Sequence, residues 1–96
     1  QSYAVSYRDQ MNLAVIQENL GKYAQAESLL KELAEQYPEE YEIYMHLAYM
    51  NLKMEKETKA ADYFKKASKY YEKAGSPGDS AMTELQDYME QIGETP

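Results

Sequence analysis

Cysteine and tryptophan are absent from this chain. Without a thiol there is no disulfide and no thiolate chemistry, and the compartment is left open by composition. Histidine occurs once, as His46, with Glu42 four residues before it. One helical turn brings those two within reach, but one imidazole and one carboxylate are too few ligands for a tight zinc site. None of the serines has a base and an orienting group nearby in sequence, as nucleophilic catalysis requires. The glycines follow predicted helix ends and form no phosphate-cradling loop. The expectation is therefore a protein that is not an enzyme, with no catalytic residue, no metal and no cofactor. Positive charge is also scarce: ten Lys and Arg face seventeen Asp and Glu, for a net charge of −7. Phosphate backbones attract cationic surfaces, so nucleic acid and anionic membrane are poor partners. No apolar run approaches the roughly 18 residues of a membrane span.

What is present is ordinary in amount and unusual in kind. Hydrophobic residues make up 44% of 96 and charged residues 28%, values typical of a globular domain. The aromatic set is eleven Tyr and one Phe. Gln1, not Met, heads the chain, and the expectation is a segment of a longer protein. Any targeting signal would then lie outside it, with the cytoplasm as the expected setting.

An internal period organises the sequence. Shifting it by 34 superimposes Tyr7 on Tyr41, Met11 on Met45, Leu13 on Leu47 and Ala14 on Ala48. The same shift pairs Ala26 with Ala60 and Tyr37 with Tyr71, without insertion or deletion. Within each unit the apolar spacing is helical. Leu29, Leu30, Leu33 and Tyr37 follow Ala26 on one face, and Phe64, Ala67 and Tyr71 follow Ala60. Gly21 permits the left-handed turn that ends a helix. Tyr23 opens the next helix, and Ala26 is small where the two helices cross. Pro38 removes an amide proton and disfavours helix at Tyr37, so the second helix stops. Each unit is one antiparallel helical hairpin, and the chain reads as all-α.

A 34-residue hairpin carrying Leu13-Ala14, Gly21, Tyr23, Ala26 and Pro38 at these offsets resembles the tetratricopeptide repeat. The second unit supplies Tyr44, Leu47, Ala48, Ala60, Phe64 and Ala67 at matching places. It departs at Glu55, Glu57 and Glu72, which replace the family's Gly, Tyr and Pro. The resemblance implies a right-handed α-α superhelix, a solenoid, with repeat one at about 7–40 and repeat two at about 41–74. Without a proline at 72 the last repeat helix should run to about Ala74, where Gly75-Ser76-Pro77-Gly78 ends it. Ala81, Met82, Leu85, Tyr88, Met89 and Ile92 then form a stripe on a helix over about 79–92. That helix reads as the cap an exposed terminal face needs. Ser2 to Ser6 are expected to extend the first helix upstream.

In this family the first helix of each hairpin lines a concave groove that takes peptides. The resemblance places Arg8, Met11, Asn12 and Val15 there, with Met45, His46, Tyr49, Leu52 and Lys53 from the second unit. Met11, Val15, Met45, Tyr49 and Leu52 would form an apolar strip, and Arg8, His46 and Lys53 would orient acidic groups. The strip is open to two readings, a ligand groove or a surface covered by the last helix or another chain. Arg8 and Asn12 alone do not rebuild the carboxylate clamp of the chaperone-binding members. The expected function is a scaffold module that binds a peptide or partner domain. The alternative is self-association through an N-terminal face around Tyr3, Tyr7 and Ile16. The run QYPEEYEIYMHLAYM with YYEKA and the final acidic helix also resembles the C-terminal repeats of some bacterial serine/threonine kinases. That implies an accessory module, since neither a kinase Gly-rich loop nor HRD is present.

Overall fold

Helix ends in this protein follow from local chemistry. In the computed structural model, which describes residues 6–93, five helices appear among the described residues. They are α1 (Tyr7–Asn19), α2 (Tyr23–Gln36), α3 (Tyr41–Lys53), α4 (Glu57–Lys73) and α5 (Ser80–Gln91). Ser6 caps α1 by accepting the Asp9 backbone N–H on its hydroxyl at 3.1 Å. Of the expected upstream extension, Ser6 stands outside α1 as its cap, and positions 2–5 lie outside the described residues. Asp79 caps α5 in the same manner through the Ala81 N–H at 3.0 Å.

Three of the helices close with one device. After α1 the Gly21 N–H bonds Glu18 C=O and the Lys22 N–H bonds Gln17 C=O, at 3.0 and 2.8 Å. After α3 the Glu55 and Lys56 amides do the same to Leu52 and Asn51, and after α4 the Gly75 and Ser76 amides bond Glu72 and Tyr71. Each closure needs one left-handed residue. Gly21 supplies it at φ 78°, but its repeat mate is Glu55, held at φ 60°. The missing second glycine thus leaves the turn intact and puts its strain on a side-chain-bearing residue.

Packing repeats with the sequence. Ala14 and Ala26 are buried between α1 and α2, and Ala48 and Ala60 are buried between α3 and α4, so each hairpin closes on small residues. α2 then lies against α3. Leu30 and Leu33 meet Ile43, Leu47, Met50, Phe64 and Ala67 in one continuous core. Complete burial of such a side chain contributes about 1.5–3 kcal/mol each. α5 lies on α3 as α1 does, and buries Met82, Leu85 and Met89. It occupies the place of a third first helix. The architecture is an all-helical repeat solenoid.

The aromatic contacts also recur by translation. Tyr7 meets Tyr37 edge-on at 5.0 Å, and Tyr41 meets Tyr71 edge-on at 4.9 Å. Such pairs contribute about 0.5–1.5 kcal/mol beyond their burial. The second pair carries an extra duty. The Tyr71 hydroxyl accepts the Gly78 and Asp79 N–H groups at 2.8 Å, and the Tyr41 hydroxyl donates to the Asp79 carboxylate at 2.7 Å. The link between α4 and α5 is therefore clasped to α3. Tyr44 donates to the Pro38 C=O at 2.7 Å and stacks on Tyr70.

Two outcomes follow for stability. Glu55→Gly relieves the left-handed strain and should stabilise the fold by about 0.5–1 kcal/mol, whereas Gly21→Ala should cost about 1 kcal/mol. Urea denaturation reads both, and an unchanged or lower midpoint for Glu55→Gly would show that the turn is unstrained. Leu85→Ala should cost about 2–5 kcal/mol, because α5 packs its buried face as core and not as an appendage. A loss below 0.5 kcal/mol, the ~0.5 kcal/mol scale of a surface change, would show that α5 is only loosely docked.

Candidate functional site

Successive first helices lie side by side, α1 on α3 and α3 on α5. The nine residues placed in the groove from sequence do not share one fate there. Met11 and Met45, repeat mates, are both buried in the core cluster, which is a correction to the groove reading. The physical reason is the close approach of adjoining layers: this register faces the stack, not the concavity. Val15 is half-buried and Asn12 is exposed. Tyr49 and Leu52 are half-buried, and Lys53 is exposed beside them.

The basic side chains expected to hold acidic partner groups already hold acidic groups of this chain. Arg8 bonds both Glu42 carboxylate oxygens, at 3.0 and 3.2 Å. Tyr7 donates to the same carboxylate at 3.2 Å, and burial together with Glu42 and Glu40 raises the Tyr7 pKa. Glu42 is thus engaged by α1, and the helical-turn pairing of Glu42 with His46 is replaced. His46 Nδ1 instead lies 3.4 Å from Glu18 Oε1, without the alignment of a hydrogen bond. Lys53 donates to the other Glu18 oxygen at 2.9 Å. Glu18 is buried. Burial by itself raises its pKa, but His46 and Lys53 more than reverse that, and the carboxyl is held below its usual range.

A cavity of ≈ 400 Å³ opens between α3 and α5, lined by Tyr49, Leu52, Lys53, Glu84 and Tyr88. Three of these were expected from sequence, and two come from the capping helix. Tyr88 is 44% exposed although it belongs to the apolar stripe of α5. Glu84 stands one turn before it, and that spacing alone was the available signal for a second wall. Tyr49 is fixed by donating its hydroxyl to the Ala81 C=O at 2.6 Å. Its pKa is raised by burial first, then by Glu84, Asp79 and Glu18, so the negative charges bear on the groove floor. Among the described residues no group of three or more His, Asp and Glu is placed to hold a metal ion. None of the described helices is long and apolar enough to cross a membrane.

Residues 8–50 match the family model for the tetratricopeptide repeat. Comparison with the curated proteins and with the solved structures found no match.

The buried carboxylate makes a pH prediction. A carboxyl whose pKa is lower folded than unfolded contributes stability above its unfolded value and loses it as pH falls toward the folded one. From about pH 5 downward the native chain should lose stability faster than Glu18→Gln, which begins less stable at neutral pH. Thermal melts across that range measure the difference, and parallel curves would remove Glu18 from the linkage.

Proposed function

We propose that this chain, which carries a tetratricopeptide repeat, binds a segment of another protein in the groove between α3 and α5. Tetratricopeptide repeats are protein-interaction modules and not catalysts. The finer reading rests on one observation, the ≈ 400 Å³ concavity with Tyr49, Leu52 and Tyr88 as its apolar lining. Half-exposed tyrosine and leucine give a partner large contact area at small ordering cost. The binding energy comes from burying one apolar anchor of the partner against them.

The sign of the partner's charge follows from the groove. Arg8, His46 and Lys53 face carboxylates of this chain, and Glu84 and Glu18 act on Tyr49. The whole chain carries −7. A partner segment with Lys or Arg flanking an aromatic or aliphatic anchor is drawn in, and an acidic segment is repelled. This reading takes the opposite sign to the acidic partner groups expected from sequence.

Selection of peptides from a random library on the immobilised chain tests the reading. Enriched peptides should carry an apolar anchor beside basic residues and shift the amide resonances of Tyr49, Leu52 and Tyr88. Tyr88→Ala should weaken them at least about tenfold, near 1.4 kcal/mol, with the fold retained. Glu84→Lys should weaken the most basic ones further. Acidic selected peptides, or equal affinity for Tyr88→Ala, would move the site elsewhere.

A further inference from the structure

Away from the groove between α3 and α5, the flank of α1 exposes Leu13, Ile16 and Leu20. Tyr7 packs instead on Tyr37, Tyr3 lies outside the described residues, and no occupant is assigned to that flank. A different surface carries charge opposite in sign to that of the whole chain. Two adjoining cavities of ≈ 290 and ≈ 380 Å³ form a groove between α2 and α4. Lys31 of α2 and Lys66 of α4 line both cavities, and Lys59 lines the first. All three are exposed, and none is paired with a carboxylate among the described residues, unlike Arg8, Lys53 and Lys73. Lys59, Tyr63 and Lys66 fall on one face of α4 by helical spacing. The Lys66 ammonium stands over the Tyr44 ring, 5.6 Å from its centroid, which holds it at the groove. Glu35 and Asp62 also line the groove, so three cations face two carboxylates in a chain of −7.

We infer that this groove binds a short acidic segment of a partner protein, whose carboxylates meet Lys31, Lys59 and Lys66 beside one apolar side chain. Charge complementarity carries the inference. A lysine already held by a carboxylate of its own chain must break that pair to take another, and these three have none to break. The placing of the two acidic residues limits the length of the occupant. Asp62 lines only the first cavity and Glu35 only the second, while Lys31 and Lys66 are common to both. A long polyanion would run from the lysines onto those carboxylates and the acidic surface beyond, whereas a short segment sets a few carboxylates on the lysines alone. Ala34, Tyr44 and Tyr63 supply the apolar lining of the second cavity and take the neighbouring side chain. The groove shares no residue with the one between α3 and α5, so the two sites select segments of opposite charge independently.

Titration of the whole chain with a capped Glu-Glu-Leu-Glu peptide, followed by amide resonances, tests this. The peptide should shift Lys31, Tyr63 and Lys66 and leave Tyr49, Leu52 and Tyr88 in place, with a Kd on the order of 0.1–1 mM at low salt. Lys31→Gln with Lys66→Gln should weaken it at least about fivefold. Both side chains are exposed, so circular dichroism of that variant should remain native. Lys22→Gln with Lys56→Gln removes the same charge outside the groove and should leave the Kd within about twofold, because distant charges are screened. Equal affinity for the Gln-Gln-Leu-Gln peptide overturns the inference, as does native affinity in the Lys31/Lys66 variant or shifts confined to Tyr49 and Tyr88. Inorganic tripolyphosphate binding as tightly as the acidic peptide overturns the assignment to a protein segment.

Discussion

Two helices folded into a hairpin hide only the side chains that face each other. The outer flank of the first helix stays apolar until another layer lies on it. Most of the structure answers that constraint. Ala14, Ala26, Ala48 and Ala60 let each hairpin close, and Leu30 and Leu33 then carry the core across to Ile43, Leu47 and Met50. Two hairpins alone would leave an open face at each end. At the C-terminal end α5 covers one with Met82, Leu85 and Met89, and turns polar residues outward.

Polar contacts follow the same translation and set the register between layers. Arg8 reaches Glu42 and Lys73 reaches Glu39, each across 34 residues, and Lys53 reaches Glu18 across 35. The first two are exposed pairs, which water screens and which add little to stability. Their value lies in direction: each ties one layer to the next at a fixed step. Glu18 differs because it is buried, and leaving it unpaired would cost far more than its pairing gains. The same carboxylates that fix the stack occupy the chain's basic groups near the groove. Structural pairing therefore decides the charge that the groove presents.

The parts of this fold legible in sequence are those written by local chemistry. A 34-residue period, alanines at the crossings, Gly21 after one helix and Pro38 after another all act within a few residues of themselves. Cross-layer choices were not legible. Helical periodicity marks Met11, Val15, Met45 and Tyr49 alike as apolar first-helix positions. It does not separate a side chain facing the neighbouring layer from one facing the concavity, since both are apolar for different reasons. His46 had a carboxylate one turn away, and the nearest rule paired it with Glu42. The layers instead bring it Glu18, 28 residues distant in sequence. Glu55 looked like a lost turn glycine, but the hydrogen bonds of the turn are strong enough to hold a non-glycine residue in the left-handed region.

The capping helix joins stability to the groove proposed for recognition. Its buried face is the last layer of the core, while Glu84 and Tyr88 form one wall of the groove. Its position is not left to apolar packing, which is non-directional. Tyr41 and Tyr71 grip Gly78 and Asp79, Asp79 caps the helix, and Tyr49 bonds Ala81 at its first turn. Tyr41 and Tyr71 occupy the repeat positions of Tyr7 and Tyr37, so the second unit turns the same aromatic pair into a clasp by adding two hydroxyl contacts. A groove wall held by hydrogen bonds of fixed geometry keeps its spacing from α3. A repeat cut off at Ala74 would keep both hairpins and lose the wall. The proposed recognition thus depends on α5, which lies outside the repeated sequence.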